Sequence, residues 1–128
     1  MNYALVIGSI LGLTGILLGA FGDHSLQATL STDDLNSWQV ALKYHHLYAI
    51  VILVLAAFKW LPISERLAGL DWIINLFTVA VILFSGSIYI RILTGYEDFR
   101  WLTPLGGSLL IASWASLLIA GILWKKKG

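Results

Sequence analysis

The chain has no cysteine, only two prolines and few charges, and each shortage excludes something. Without thiols there is no disulfide, no thiolate nucleophile and no cysteine-based zinc or iron–sulfur site. Charged residues fill 12% of the 128 positions and hydrophobic ones 59%, which is too apolar for a soluble domain and too short for two domains. A formal net charge of +1 supplies no field for nucleic acid. The basic run Lys125 to Lys127, just past Trp124, reads as a topology anchor.

What the chain does have is long apolar runs. Tyr3 to Gly22 carries no charged side chain and is long enough, at about 1.5 Å per residue, to cross a bilayer. Gly8, Gly12, Gly15, Gly19 and Gly22 alternate in steps of four and three and fall within an arc of about 80°. This predicts a glycine-faced first helix, a glycine zipper whose bare backbone admits a neighbour closely and serves as the packing spine of a bundle. The run has no basic n-region and exceeds a signal peptide's apolar segment, so it is expected to be retained.

Three more helices follow. Ser31 with Asp34 imitates a capping box and opens a second helix near Thr32, which Lys59 and Trp60 anchor and Pro62 ends. In the third, Asp71, Asn75, Thr78, Ser85 and Tyr89 share a stripe about 80° wide that is predicted to face protein. Thr103-Pro104 reads as an N-cap and first helical proline of the fourth, where Gly106, Ser113 and Ala120 form a small-residue seam. Gly86 and Gly107 are further packing positions. The expected fold is all-α: one polytopic membrane domain, an antiparallel bundle of four transmembrane helices at about 3–22, 32–60, 71–92 and 103–124.

Alternating helix direction puts Lys59, Arg66 and three tail lysines on one side, and Lys43, Arg91 and Arg100 on the other beside five acids. The positive-inside rule then makes both termini cytoplasmic in a cell inner membrane. The opposite leaflet collects Asp23, His24, Lys43, Tyr44, His45, His46, Tyr48, Ser85, Ser87, Tyr89 and Arg91, which predicts a polar pocket opening on the outer side. Asp23, four after Gly19, is expected to point into the bundle and meet Arg91, His24 or His45 directly or through one water. His45 is expected inward and His46 toward the interface.

Adjacent histidines lack the i, i+4 spacing of helical zinc pairs, so no metal site is assigned to Asp23, His24 and His45. No nucleophile-elbow pattern surrounds Ser85 or Ser87, so no catalytic residue and no cofactor is assigned.

Gly19-Ala20-Phe21-Gly22-Asp23-His24 is similar to a GAFGxH motif, Phe84-Ser85-Gly86-Ser87-Ile88-Tyr89 to FSGSxY, Leu93-Thr94-Gly95 to LTG, and Thr103-Pro104-Leu105-Gly106-Gly107 to TPxGG. Gln39 and Tyr44 to Ala49 resemble the same family's second-helix segment. The family is that of the small four-helix inner-membrane proteins typified by YgdD and YwdK, uncharacterised in activity. This chain departs from it with Tyr48-Ala49 for histidine-alanine and Ser113-Trp114 for glycine-tryptophan; His45, about 60° from Tyr48 around the helix, is the imidazole offered instead. The resemblance implies a four-helix inner-membrane protein and no reaction.

The sequence therefore reads as a non-enzymatic multi-pass protein whose outer-leaflet pocket binds a lipid headgroup or a partner helix, with membrane lipids as partners and self-association expected. The alternative is a small proton- or ion-coupled transporter or channel subunit using Asp23, His24 and His45. No small-molecule substrate can be named from these residues.

Overall fold

The computed structural model describes residues 1–62, 67 and 69–124. Arg66 and the tail lysines lie outside the described residues. Among the described residues, four helices are long and apolar enough to span a membrane: α1 (Tyr3–Phe21), α2 (Thr32–Phe58), α3 (Leu70–Thr94) and α4 (Leu102–Ile122). No strand occurs among the described residues.

Local chemistry sets most of the ends. The Asn2 side chain accepts from the Leu5 N–H at 3.1 Å and opens α1. Ser31 Oγ accepts from the Asp34 N–H at 3.2 Å, so the Ser31/Asp34 signal marks a real start for α2. Gly95 closes α3 at φ +74°, a left-handed conformation costly for any residue with a Cβ, and its N–H returns to the Arg91 carbonyl at 2.8 Å.

Two ends differ from the sequence reading. Helix 1 does not stop at Gly22 but runs on as a π-helical turn, Gly22–Leu26. Helix 4 is preceded by a 3₁₀ turn, Glu97–Trp101, and begins at Leu102. Thr103 is thus already helical, and its hydroxyl meets Ser87 rather than capping. Pro104 still sits in the first turn, where no N–H is needed.

The helices pack in chain order, α1 chiefly on α2, α2 on α3 and α3 on α4. The central pair α2 and α3 buries the large side chains Trp38, Ile52, Phe77 and Val81 completely. Helix 1 lies at the edge, so it is not the spine of the bundle. Of its five glycines, Gly8, Gly15 and Gly22 are buried, and a Cβ there would collide with Leu53 (2.7 Å), with His46 (2.7 Å) or with the Trp38 indole, all on α2. A Cβ at Gly12 would meet nothing within 4 Å, and one at Gly19 only Leu42 at 4.0 Å. The contact stripe is therefore centred on Ala4, Gly8, Gly15 and Gly22 rather than on all five glycines.

The tightest crossing belongs to α3 and α4. A Cβ at Gly106 would strike the Phe84 backbone, its Cα at 2.7 Å. Ser113, seven residues on, is also fully buried and returns its hydroxyl to the Leu109 carbonyl at 2.7 Å. Gly107 is looser, with the Phe84 ring at 3.7 Å from a Cβ.

Candidate functional site

Halfway along their spans, α1 and α2 bring Thr14 and His45 together. His45 Nε2 lies 3.2 Å from Thr14 Oγ1, and His45 Nδ1 lies 3.0 Å from the Tyr89 hydroxyl of α3. The single Thr14 proton is directed to the Ile10 carbonyl at 2.8 Å, so Thr14 accepts from His45. A neutral imidazole that donates through Nε2 must accept through Nδ1, which makes Tyr89 the donor there. One buried ring thus joins three helices with both nitrogens engaged.

His45, Ser85 and Tyr89 also line a narrow cleft of about 130 Å³ between α1 and α3. Its other walls are Leu11, Leu18, Val81, Ile82 and Gly86. The polar atoms in it are already used: Ser85 Oγ donates to the Ala41 carbonyl at 2.8 Å, and Tyr89 is committed to His45 while its ring lies tilted against Trp38, centroids 4.8 Å apart. A side chain at Gly86 would meet nothing within 4 Å.

The remaining predicted site residues go elsewhere. Tyr48 turns toward α4, where its hydroxyl accepts from Trp114 Nε1 at 2.9 Å, so it serves a different side of α2 from His45. Ser87 meets Thr103 at 2.6 Å. Arg91 lies 3.3 Å from Asp34 and 3.7 Å from Glu97. Asp23 and His24 are exposed and make no hydrogen bond or ion pair among the described residues.

Asp23 therefore makes no direct contact with Arg91, His24 or His45. The reason is angular: Asp23 follows buried Gly22 by one position and is swung about 100° off the contact stripe. It lines a separate hollow of about 180 Å³ with Gly22, Gln27, Leu35, Asn36 and Gln39. His46 also departs from expectation, leaning onto Gly15 of α1 with Nε2 buried and without a hydrogen-bond partner among the described residues. Because α2 is central, two of its flanks face protein.

The α3 stripe divides as well. Ser85 and Tyr89 are buried, but Asp71 and Asn75 are exposed at the opposite end, and Thr78 returns its hydroxyl to the Ile74 carbonyl at 2.8 Å. Thr14, Trp38 and Trp114 were not assigned to the site from sequence, and Trp38 was expected in the membrane interface, yet Trp38 is fully buried and each carries an interhelical hydrogen bond; Trp38 Nε1 donates to the Leu18 carbonyl at 3.3 Å. Polar residues at matching depth in neighbouring spans were the available signal. Among the described residues no three His, Asp or Glu side chains are placed to hold a metal.

Four apolar spans tied by neutral hydrogen bonds, with ion pairs at both ends of α3, define a multi-pass integral membrane protein. The chain belongs to the family described as protein of unknown function DUF423, whose model matches residues 18–107. It is 32% identical to the UPF0382 inner membrane protein YgdD of Escherichia coli over 127 residues, covering 99% of this chain and 95% of that one. It is 30% identical to the UPF0382 membrane protein YwdK of Bacillus subtilis over 125 residues, 95% of this chain and 98% of that one. The membrane protein SAB0533 of Staphylococcus aureus is 30% identical over 120 residues, 94% and 95% of the two chains. No solved structure matches.

Proposed function

We propose that this chain is a non-catalytic lipid-binding protein of the inner membrane, and that the cleft between α1 and α3 takes an acyl chain from the surrounding bilayer. The observation that carries the reading is that His45, Ser85 and Tyr89 spend their polar atoms on neighbouring helices, so the cleft offers an occupant mainly apolar contact. An ion or a charged headgroup would find no answering group there.

A diazirine-bearing acyl lipid in nanodiscs tests this. Photolysis should label Leu11, Leu18 and Ile82, and Gly86→Leu, which fills the cleft, should remove that labelling. Labelling spread evenly over the outer faces of α1 and α4, unchanged by Gly86→Leu, would reject the proposal.

One observation favours a second reading, a proton-coupled role. His46 Nε2 is buried without a hydrogen-bond partner among the described residues, and its ring stacks beside His45 at 6.0 Å between centroids. Under this reading the imidazole pair, rather than Asp23 and His24, passes the proton, and His46→Phe should abolish a pH-driven flux in proteoliposomes. Both termini are assigned to the cytoplasm on the excess of basic residues at that end.

A further inference from the structure

Where α1 passes into its π-helical turn, Asp23 and Gln27 share the hollow of about 180 Å³ with Asn36 and Gln39 of α2. None of these four side chains makes a hydrogen bond or ion pair among the described residues. Lys43, four residues after Gln39, shares its face of α2 and lies about 6 Å further into the span. It is exposed and has no ion pair among the described residues. On the α1 side of this flank a Cβ at Gly12 would meet nothing within 4 Å, and one at Gly19 only Leu42 at 4.0 Å, so the surface below the hollow stands open to lipid. The other acidic, basic and imidazole groups of these segments lie off the hollow. His24 is exposed one position after Asp23, and Asp33 is exposed in the first turn of α2, about 60° around the helix from Asn36. Asp34 is held by Arg91, His45 by Thr14 and Tyr89, and His46 leans onto Gly15 three residues beyond Lys43.

We infer that this flank of α1 and α2 binds a membrane phospholipid of the phosphoethanolamine class, its ammonium in the hollow at Asp23 and its phosphate one turn deeper at Lys43. The order of the two charges along the span selects the ligand. In such a lipid the phosphate joins the glycerol and the amine lies beyond it, so the headgroup presents negative charge deep and positive charge outside. Lys43 below Asp23 is the complement of that order, and a lysine near a span's end extends its ammonium toward the headgroups. An anionic headgroup would answer Lys43 but carry no charge for Asp23, and Asp33 beyond the rim adds to the negative side only at the level of the amine. The primary amine follows from the acceptors. Its three N–H groups are matched by the Asp23 carboxylate and the amide oxygens of Gln27, Asn36 and Gln39, whereas a quaternary ammonium gives no such bonds and finds no aromatic ring among the described lining residues. Gly19 and Asp23 lie more than 120° around α1 from Thr14, so the site does not depend on the acyl-chain cleft beside α3.

Native mass spectrometry of the full chain in detergent, with equal amounts of ethanolamine, choline and glycerol phospholipids of matched chains, tests the inference. The ethanolamine lipid should be retained preferentially. Asp23→Asn should reduce its retention about tenfold relative to the glycerol lipid, the size of one charge-assisted hydrogen bond. Lys43→Gln should weaken all three lipids alike, because each carries the phosphate, and leave the order among them. Asp33→Asn removes a carboxylate at the same end but off the hollow and should change nothing, and Gly86→Leu in the other cleft should leave the order intact. Asp23, Asp33 and Lys43 are exposed, and unchanged helical circular dichroism checks that the variants fold. Glycerophosphoethanolamine, the same headgroup without chains, should not compete at equal concentration. Equal retention of the three lipids, an equal effect of Asp23→Asn and Asp33→Asn, loss of the preference in Gly86→Leu, or full competition by the chainless headgroup would overturn the proposal.

Discussion

His45 of α2 and Tyr89 of α3 meet through Nδ1 and the phenol oxygen at 3.0 Å, with Thr14 of α1 on the ring's other nitrogen. Removing the phenol while keeping its ring leaves His45 Nδ1 buried without a partner. Tyr89→Phe should therefore cost about 1–3 kcal/mol, more than the roughly 0.6 kcal/mol usual for an interhelical hydrogen bond in a membrane. Thermal unfolding in mild detergent measures it; a variant as stable as the parent would show that the bond carries no net energy.

Glycine substitutions should sort by what a Cβ meets. Gly106→Ala strikes the backbone of Phe84 and cannot be relieved by a rotamer change, so it should destabilise by about 1–3 kcal/mol. Gly12→Ala enters open space and should be neutral or stabilising by up to about 1 kcal/mol. Equal unfolding temperatures for the two variants would contradict the packing described.

Charge removal distinguishes Asp23 from Asp34. Asp34 lies against a half-buried Arg91, and Asp34→Asn should cost about 1 kcal/mol. Asp23→Asn, exposed and unpaired among the described residues, should change stability by less than about 0.5 kcal/mol. A larger effect at Asp23 than at Asp34 would restore an inward role for Asp23.

Topology can be read directly because the native chain has no cysteine. A cysteine at Gly128 should stay unlabelled by an impermeant maleimide in intact cells, and one at Asp33 should react. The reverse pattern would place the termini outside.

The spans were legible because an apolar run long enough to cross a bilayer has few other stable forms, and the Ser31/Asp34 cap depends only on neighbours in sequence. The site was less legible, because it turns on which helices are central. Angular position fixed that Gly8, Gly15 and Gly22 share a side of α1; it left open which neighbour occupies that side and how wide the contact is. A shift of tens of degrees in the stripe's centre was enough to carry Asp23 from inside to outside. Thr14 escaped notice for a related reason: its partner His45 is 31 residues away and is matched to it only by depth.

The chain-order packing of the bundle bears on how it is built. Each helix after α1 packs on the one synthesised immediately before it. As the chain leaves the ribosome, α2 can close on α1, then α3 on α2, then α4 on α3, so that each new span meets a surface already in place. Loss of α1 would then remove an outer leaf and leave the α2–α3–α4 assembly line intact, whereas loss of α3 would strand α4 with no surface to dock on.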